Sequence, residues 1–135
     1  MRKQPRISSA PIIQLPAVQQ GFYYYPLAAP GNGTYATIPV NTVGTLIQMV
    51  NAPTANTWYL DFTGVNLSVN YTLTITVLIP QGGTAYNPSV LVNGIAPTLI
   101  GAGNGGATGR TNAYYYTIIC TAPNQYSYYW WATPL

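Results

Sequence analysis

The side chains that could carry acid–base, nucleophilic or metal chemistry are Asp61, Cys120, 13 tyrosines and the four bases Arg2, Lys3, Arg6 and Arg110; there is no histidine and no second acid. General acid–base catalysis draws on His, Glu, Asp, Lys, Tyr or Cys with a tuned pKa. Ser-His-Asp and Cys-His relays lack their base in this chain, and a two-carboxylate mechanism has one carboxylate side chain to work with. Nor do Cys, His, Asp and Glu cluster as metal ligands must. The sequence therefore predicts no catalytic, cofactor-binding or metal-binding residues, and the chain reads as a non-enzyme. Cys120 is the sole cysteine, so no internal disulfide is available, and its apolar, strand-like surroundings predict a buried small hydrophobe.

Two other features invite a ligand. The run Gly101-Ala-Gly-Asn-Gly-Gly-Ala-Thr-Gly109 precedes Arg110, but it lacks the lysine and the following helix of a phosphate-binding loop. It reads as a flexible surface loop, with Arg110 set to pair with Asp61 or with a partner. The aromatic runs Tyr114-Tyr-Tyr116 and Tyr128-Tyr-Trp-Trp131 could stack on sugar rings. Adjacent strand residues point to opposite faces, however, so each run splits between core and surface. Tyrosine and tryptophan also suit subunit interfaces, and that reading is preferred over glycan binding. The interface candidates are Tyr114, Tyr116, Tyr128, Trp130, Trp131 and Arg110.

The elements that must position these residues are strands. Val69, Tyr71, Leu73, Ile75, Val77 and Ile79 share one parity, with Asn70, Thr72, Thr74 and Thr76 on the other; such alternation predicts a half-buried antiparallel strand. Trp58, Leu60 and Phe62 form a second apolar face. Further strands are predicted over 34–40, 45–50, 89–92, 95–100, 113–120 and 126–132, and Asn93-Gly94 has the chemistry of a hairpin turn. Proline, glycine and threonine interrupt every helical window. The predicted fold class is all-β: an antiparallel β-sandwich or jelly roll over 31–135, preceded by an extended, proline-rich N-terminal arm over 1–30.

That arm carries Pro5, Pro11, Pro16, Pro26 and Pro30, with Ile12-Ile13 and Tyr23-Tyr24-Tyr25 between them. Proline disfavours helix interiors and sheet ladders and biases its predecessor toward extended backbone. Thirty extended residues would span up to about 100 Å, far beyond the ~13 Å radius of gyration of a 100-residue body. The assembly residues predicted in the arm are Arg2, Lys3, Arg6, Ile12, Ile13, Tyr23, Tyr24 and Tyr25. The basic tip suits an acidic protein surface or nucleic acid, or is a solvated start; three charges argue little for nucleic acid, which is not the expected partner. No apolar segment is long enough for a membrane span, and the prolines interrupt any signal-peptide core. Only 4% of residues are charged, against roughly a quarter in ordinary soluble domains, which predicts a surface covered by copies of itself or by partners.

The run Tyr71-Thr-Leu-Thr-Ile-Thr-Val-Leu-Ile79, then Gln81-Gly-Gly-Thr-Ala-Tyr86-Asn-Pro88, Val92-Asn-Gly94, the Gly-rich loop, Arg110 and Asn112, and the strand 113–120 resembles a β-module of virion proteins from marine and cyanobacterial tailed phages. The resemblance covers about Tyr59 to Trp131. It departs from the module in its more aromatic closing strand and in lacking a tryptophan before the Gly-rich loop. It implies a structural role in capsid or tail, often as a trimer. The expected function is a capsid decoration or cement protein that self-associates on the outer shell and clamps major capsid protein through its arm. A tail or fibre component is the alternative, and a carbohydrate-binding module the third.

Overall fold

Alternating apolar and polar residues decide where this chain extends, and positive-φ residues such as Gly33, Gly64, Asn70 and Asn93 bound some of its runs. The structure is a computed structural model and describes residues 22–25 and 32–135, the first segment through its backbone. The described elements are β1 (Phe22–Tyr25), β2 (Thr34–Pro39), α1 (Val40–Val43), β3 (Leu46–Met49), β4 (Trp58–Thr63), β5 (Thr72–Pro80), β6 (Ser89–Val92), β7 (Thr98–Ala102), β8 (Thr111–Ala122) and β9 (Gln125–Pro134). Among the described residues the fold is all-β apart from α1, a single turn that ends at Gly44 with φ 86°.

The strands form a six-stranded sheet in the order β1-β3-β5-β8-β9-β7 and a three-stranded sheet in the order β2-β4-β6. Ala36, Ile38, Trp58, Leu60, Phe62, Val90 and Val92 of the smaller sheet join Ile47, Met49, Ile75, Val77, Ile79, Tyr114, Tyr116, Ile118 and Tyr128 of the larger one in a single core. Phe62 meets Tyr116 across it with ring centroids 5.5 Å apart. Burying side chains of this size stabilises the fold by roughly 1.5–3 kcal/mol each.

The expected antiparallel pairing, and with it the jelly roll, is corrected. Among the seven described strand pairs only β5–β8 and β8–β9 are antiparallel. From β1 to β6 the chain alternates between the two sheets, so in-sheet neighbours are two strands apart in sequence and run parallel. A parallel pair needs a crossover, and here a strand of the opposite sheet provides it in place of a helix. Period two cannot reveal this, because both ladder types put alternate residues on opposite faces.

Three local expectations also change. Asn70 has φ 71°, so β5 begins at Thr72; Val69 and Tyr71 are exposed, and the buried face is Ile75, Val77 and Ile79. Asn93 and Gly94 do form a tight turn with positive φ, closed by reciprocal Val92–Ile95 hydrogen bonds of 2.9 and 3.0 Å. It hands the chain from one sheet to the other and does not join two paired strands. Phe22–Tyr25, placed in the arm by sequence, is the edge strand β1 and pairs with β3 from Phe22↔Leu46 to Tyr25↔Met49. Arg2, Lys3, Arg6, Ile12 and Ile13 lie outside the described residues.

Candidate functional site: an uncharged aromatic face on the larger sheet

β8 and β9 are long paired strands whose residues alternate between the core and the outer face of the larger sheet. Tyr114, Tyr116 and Ile118 point inward from β8, opposite Val77, Ile75 and Leu73 of β5. Tyr115, Thr117 and Ile119 point outward. On β9, Tyr128 and Trp130 face inward, and Ser127, Tyr129, Trp131 and Thr133 face outward. Tyr114, Tyr116 and Tyr128, chosen from sequence as interface residues, are therefore core residues. Trp130 is half-buried, its ring 5.8 Å from Tyr114 and 6.4 Å from Tyr116. Trp131 is exposed, as the interface reading requires.

The outer face holds residues the sequence reading passed over. Tyr115 lies directly opposite Trp131, and their rings stack at 4.2 Å with 25° between planes. Thr76 and Leu46 continue this row onto β5 and β3. The next row is Thr74, Thr117 and Tyr129, with the two threonine hydroxyls 3.2 Å apart. Beyond Tyr129 lies β7, whose Leu99 and Ile100 are exposed. Among the described strands Asp61 is the one charged residue, and it belongs to the smaller sheet. The phase of each strand is written in its polar members: Thr117 shares a parity with Tyr115, and Ser127 and Thr133 share one with Tyr129 and Trp131.

Behind this face, one end of the body is held by a polar network built from the Gln81–Pro88 stretch and the Gly-rich loop. Gln81 donates through Nε2 to the Tyr114 hydroxyl (2.8 Å) and to the Tyr86 carbonyl (3.1 Å), and its Oε1 accepts from the Tyr86 N–H (3.1 Å). The Tyr114 hydroxyl donates to Asn87 Oδ1 (2.7 Å) and also accepts the Gly106 N–H (3.2 Å). Asn112, fully buried, accepts from the Ala107 N–H and returns bonds to the Ala107 and Arg110 carbonyls. The Trp58 indole donates to the Tyr86 carbonyl at 3.0 Å. The loop is thus pinned and not the flexible segment expected from its composition. Glycine is required at 106 because a Cβ there would collide with the Tyr114 hydroxyl. The Gly106 and Ala107 amides already have acceptors inside the protein, so they do not offer a phosphate cradle.

Arg110 and Asp61 have separate partners. Arg110 is exposed and donates to the Leu135 main-chain oxygen at 2.8 Å, while Asp61 accepts the Gly94 N–H at 2.9 Å. Cys120 is buried, with Sγ 3.2 Å from the Ala122 carbonyl. Burial pushes the phenol of Tyr116 well above the ordinary tyrosine value and those of Tyr114 and Tyr128 upward, with hydrogen bonds partly opposing the rise in the latter two. The Tyr116 hydroxyl is buried and has no hydrogen-bond partner among the described residues.

Taken together, the outer face offers uncharged, partly aromatic contact area with hydroxyls along one side. Comparison with protein-family models, with curated proteins and with solved structures finds no match to this chain.

Proposed function

We propose that this protein is a non-enzymatic structural subunit of a tailed-phage virion, a capsid decoration or cement protein. Its two-sheet sandwich body would sit on the outer shell, and its N-terminal arm would bind major capsid protein or adjacent copies. The observation that carries the structural role is the uncharged outer face, with Tyr115, Tyr129 and Trp131 contiguous along β8 and β9 and the exposed, uncharged β7 edge beside them. Monomeric soluble proteins keep large apolar patches covered or interspersed with charge. Tyrosine and tryptophan on such a face favour protein contact. The rigid polar network behind it supports clamping, because a contact surface held in place loses little entropy on binding. The phage assignment draws on the resemblance of about Tyr59 to Trp131 to virion modules. Self-association about a threefold axis belongs to the same reading.

Immunogold labelling of virions with antibody against the body tests this proposal. Label over the shell is the expected result. Label confined to the tail would favour a tail or fibre component, and unlabelled particles would overturn the virion reading. A glycan-binding role is the second reading, favoured by the exposed Tyr115–Trp131 pair; a glycan array with binding lost in Trp131→Ala would put it first.

A further inference from the structure

β7 closes the larger sheet at the end opposite β1. It pairs with β9 on one side, and no described residue pairs with its other side. Soluble proteins protect such edges with lysine, proline or other charge, or by covering them. The β7 sequence Thr-Leu-Ile-Gly-Ala carries no charge and no proline, and Leu99 and Ile100 are 48% and 58% exposed. Between Leu99 and Gly101 the register with β9 shifts by one residue, so Ile100 is the unpaired extra residue of a bulge. At the start of β7 the chain passes the β8–β9 turn and bounds a groove of about 220 Å³ lined by Ile95, Pro97, Thr98, Thr121, Asn124 and Tyr126. An open edge supplies main-chain hydrogen bonds and a neighbouring pocket seats a side chain. Strand addition uses that combination.

We propose that the β7 edge and this groove accept residues 7–20 of a second copy of the chain as an added strand. The segment Ile-Ser-Ser-Ala-Pro-Ile-Ile-Gln-Leu-Pro-Ala-Val-Gln-Gln has no charged residue and matches the uncharged edge. Ile12-Ile13-Gln14-Leu15, between Pro11 and Pro16, is about the length of β7. Proline at either end is tolerated in an outermost strand, whose second side needs no ladder. The chain leads from this segment into β1, at the far edge of its own sheet. Five strand spacings of ~4.8 Å put β1 about 24 Å from β7, with the body between them. A neighbouring molecule can set its β7 beside that exit without such a detour. Donor and acceptor occupy different edges, so the contact is heterologous and generates a closed ring or a filament. The proposal rests on the self-association part of the assembly reading and not on location at the shell.

The test places p-benzoylphenylalanine at Ile100 in the full-length chain, followed by irradiation, gel separation and peptide mapping. The expected product is a multimer band in which position 100 is joined to residues 7–20 of another molecule. Cross-linking to residues 7–20 within a monomer band, to any other segment, or to nothing would overturn the proposal. In parallel, the exposed double change Leu99→Lys with Ile100→Lys should weaken self-association in sedimentation by about tenfold or more while the thermal midpoint holds. Unchanged association would equally overturn it. Protein found on the virion shell without the Ile100 cross-link leaves the decoration reading standing and removes this one.

Discussion

Tyr114 and Tyr116 are neighbours on one face of β8, both fully buried, and replacing each by phenylalanine should have opposite consequences. The Tyr114 hydroxyl takes part in three hydrogen bonds, with Gln81, Asn87 and Gly106. Tyr114→Phe leaves one Gln81 amide hydrogen buried without an acceptor and weakens the hold on Gly106. A buried group left unsatisfied costs roughly 1–3 kcal/mol, and the two remaining bonds add a few tenths to about one each. The expected loss is about 2–3 kcal/mol. At ~3–5 °C per kcal/mol for a chain of this size, the midpoint should fall by about 6–15 °C. The Tyr116 hydroxyl has no partner among the described residues, so its desolvation is uncompensated. Tyr116→Phe should therefore be neutral or stabilise by up to about 1 kcal/mol. Urea unfolding followed by tryptophan fluorescence gives both values, and hydrogen exchange at the Gly106 and Ala107 amides reports whether the loop loosens in Tyr114→Phe alone. Equal losses in the two variants, or unchanged Gly106 exchange in Tyr114→Phe, would refute the assignment of the network.

Three further outcomes follow from the same geometry. The buried phenols of Tyr114, Tyr116 and Tyr128 titrate higher folded than unfolded, so the folded state holds more protons in the alkaline range. Their contribution to stability should be fully present below the unfolded tyrosine value of about 10 and be lost as pH rises above it; tyrosinate absorbance from these three should appear at higher pH than in the unfolded chain, with Tyr116 the last to ionise. At Gly103 a Cβ would lie 2.6 Å from the Trp131 Cβ and 2.7 Å from its Cα, so Gly103→Ala should push the end of β7 off β9 and cost about 1–3 kcal/mol in denaturant unfolding. Cys120→Ser should shift stability by about 1 kcal/mol or less, since a hydroxyl can donate to the Ala122 carbonyl as the thiol does, and assembly measured with and without reductant should be the same.

Sequence alone determined the elements whose two faces differ in polarity. Trp58, Leu60 and Phe62 are buried as their spacing with Tyr59 and Asp61 required, and Ile75, Val77 and Ile79 face the core opposite a row of threonines. Cys120 and the β-rich class were legible for the same reason: side-chain period and burial are local properties of a strand. The aromatic strands were harder, because both parities of β8 and β9 carry rings, and the outer one is marked by residues such as Thr117, Ser127 and Thr133 while the inner one holds the polar Asn112. Strand direction was decided by tertiary structure, since parallel and antiparallel ladders share one periodicity and the passage between sheets depends on how the whole chain packs. The network among Gln81, Asn87, Gly106, Asn112 and Tyr114 was likewise a product of folding. Each of those residues is an ordinary loop or strand residue until the two sheets bring them within hydrogen-bond reach. Charge scarcity belongs to the sequence, but which uncharged side chains are left facing outward beside the β7 edge was set by the fold.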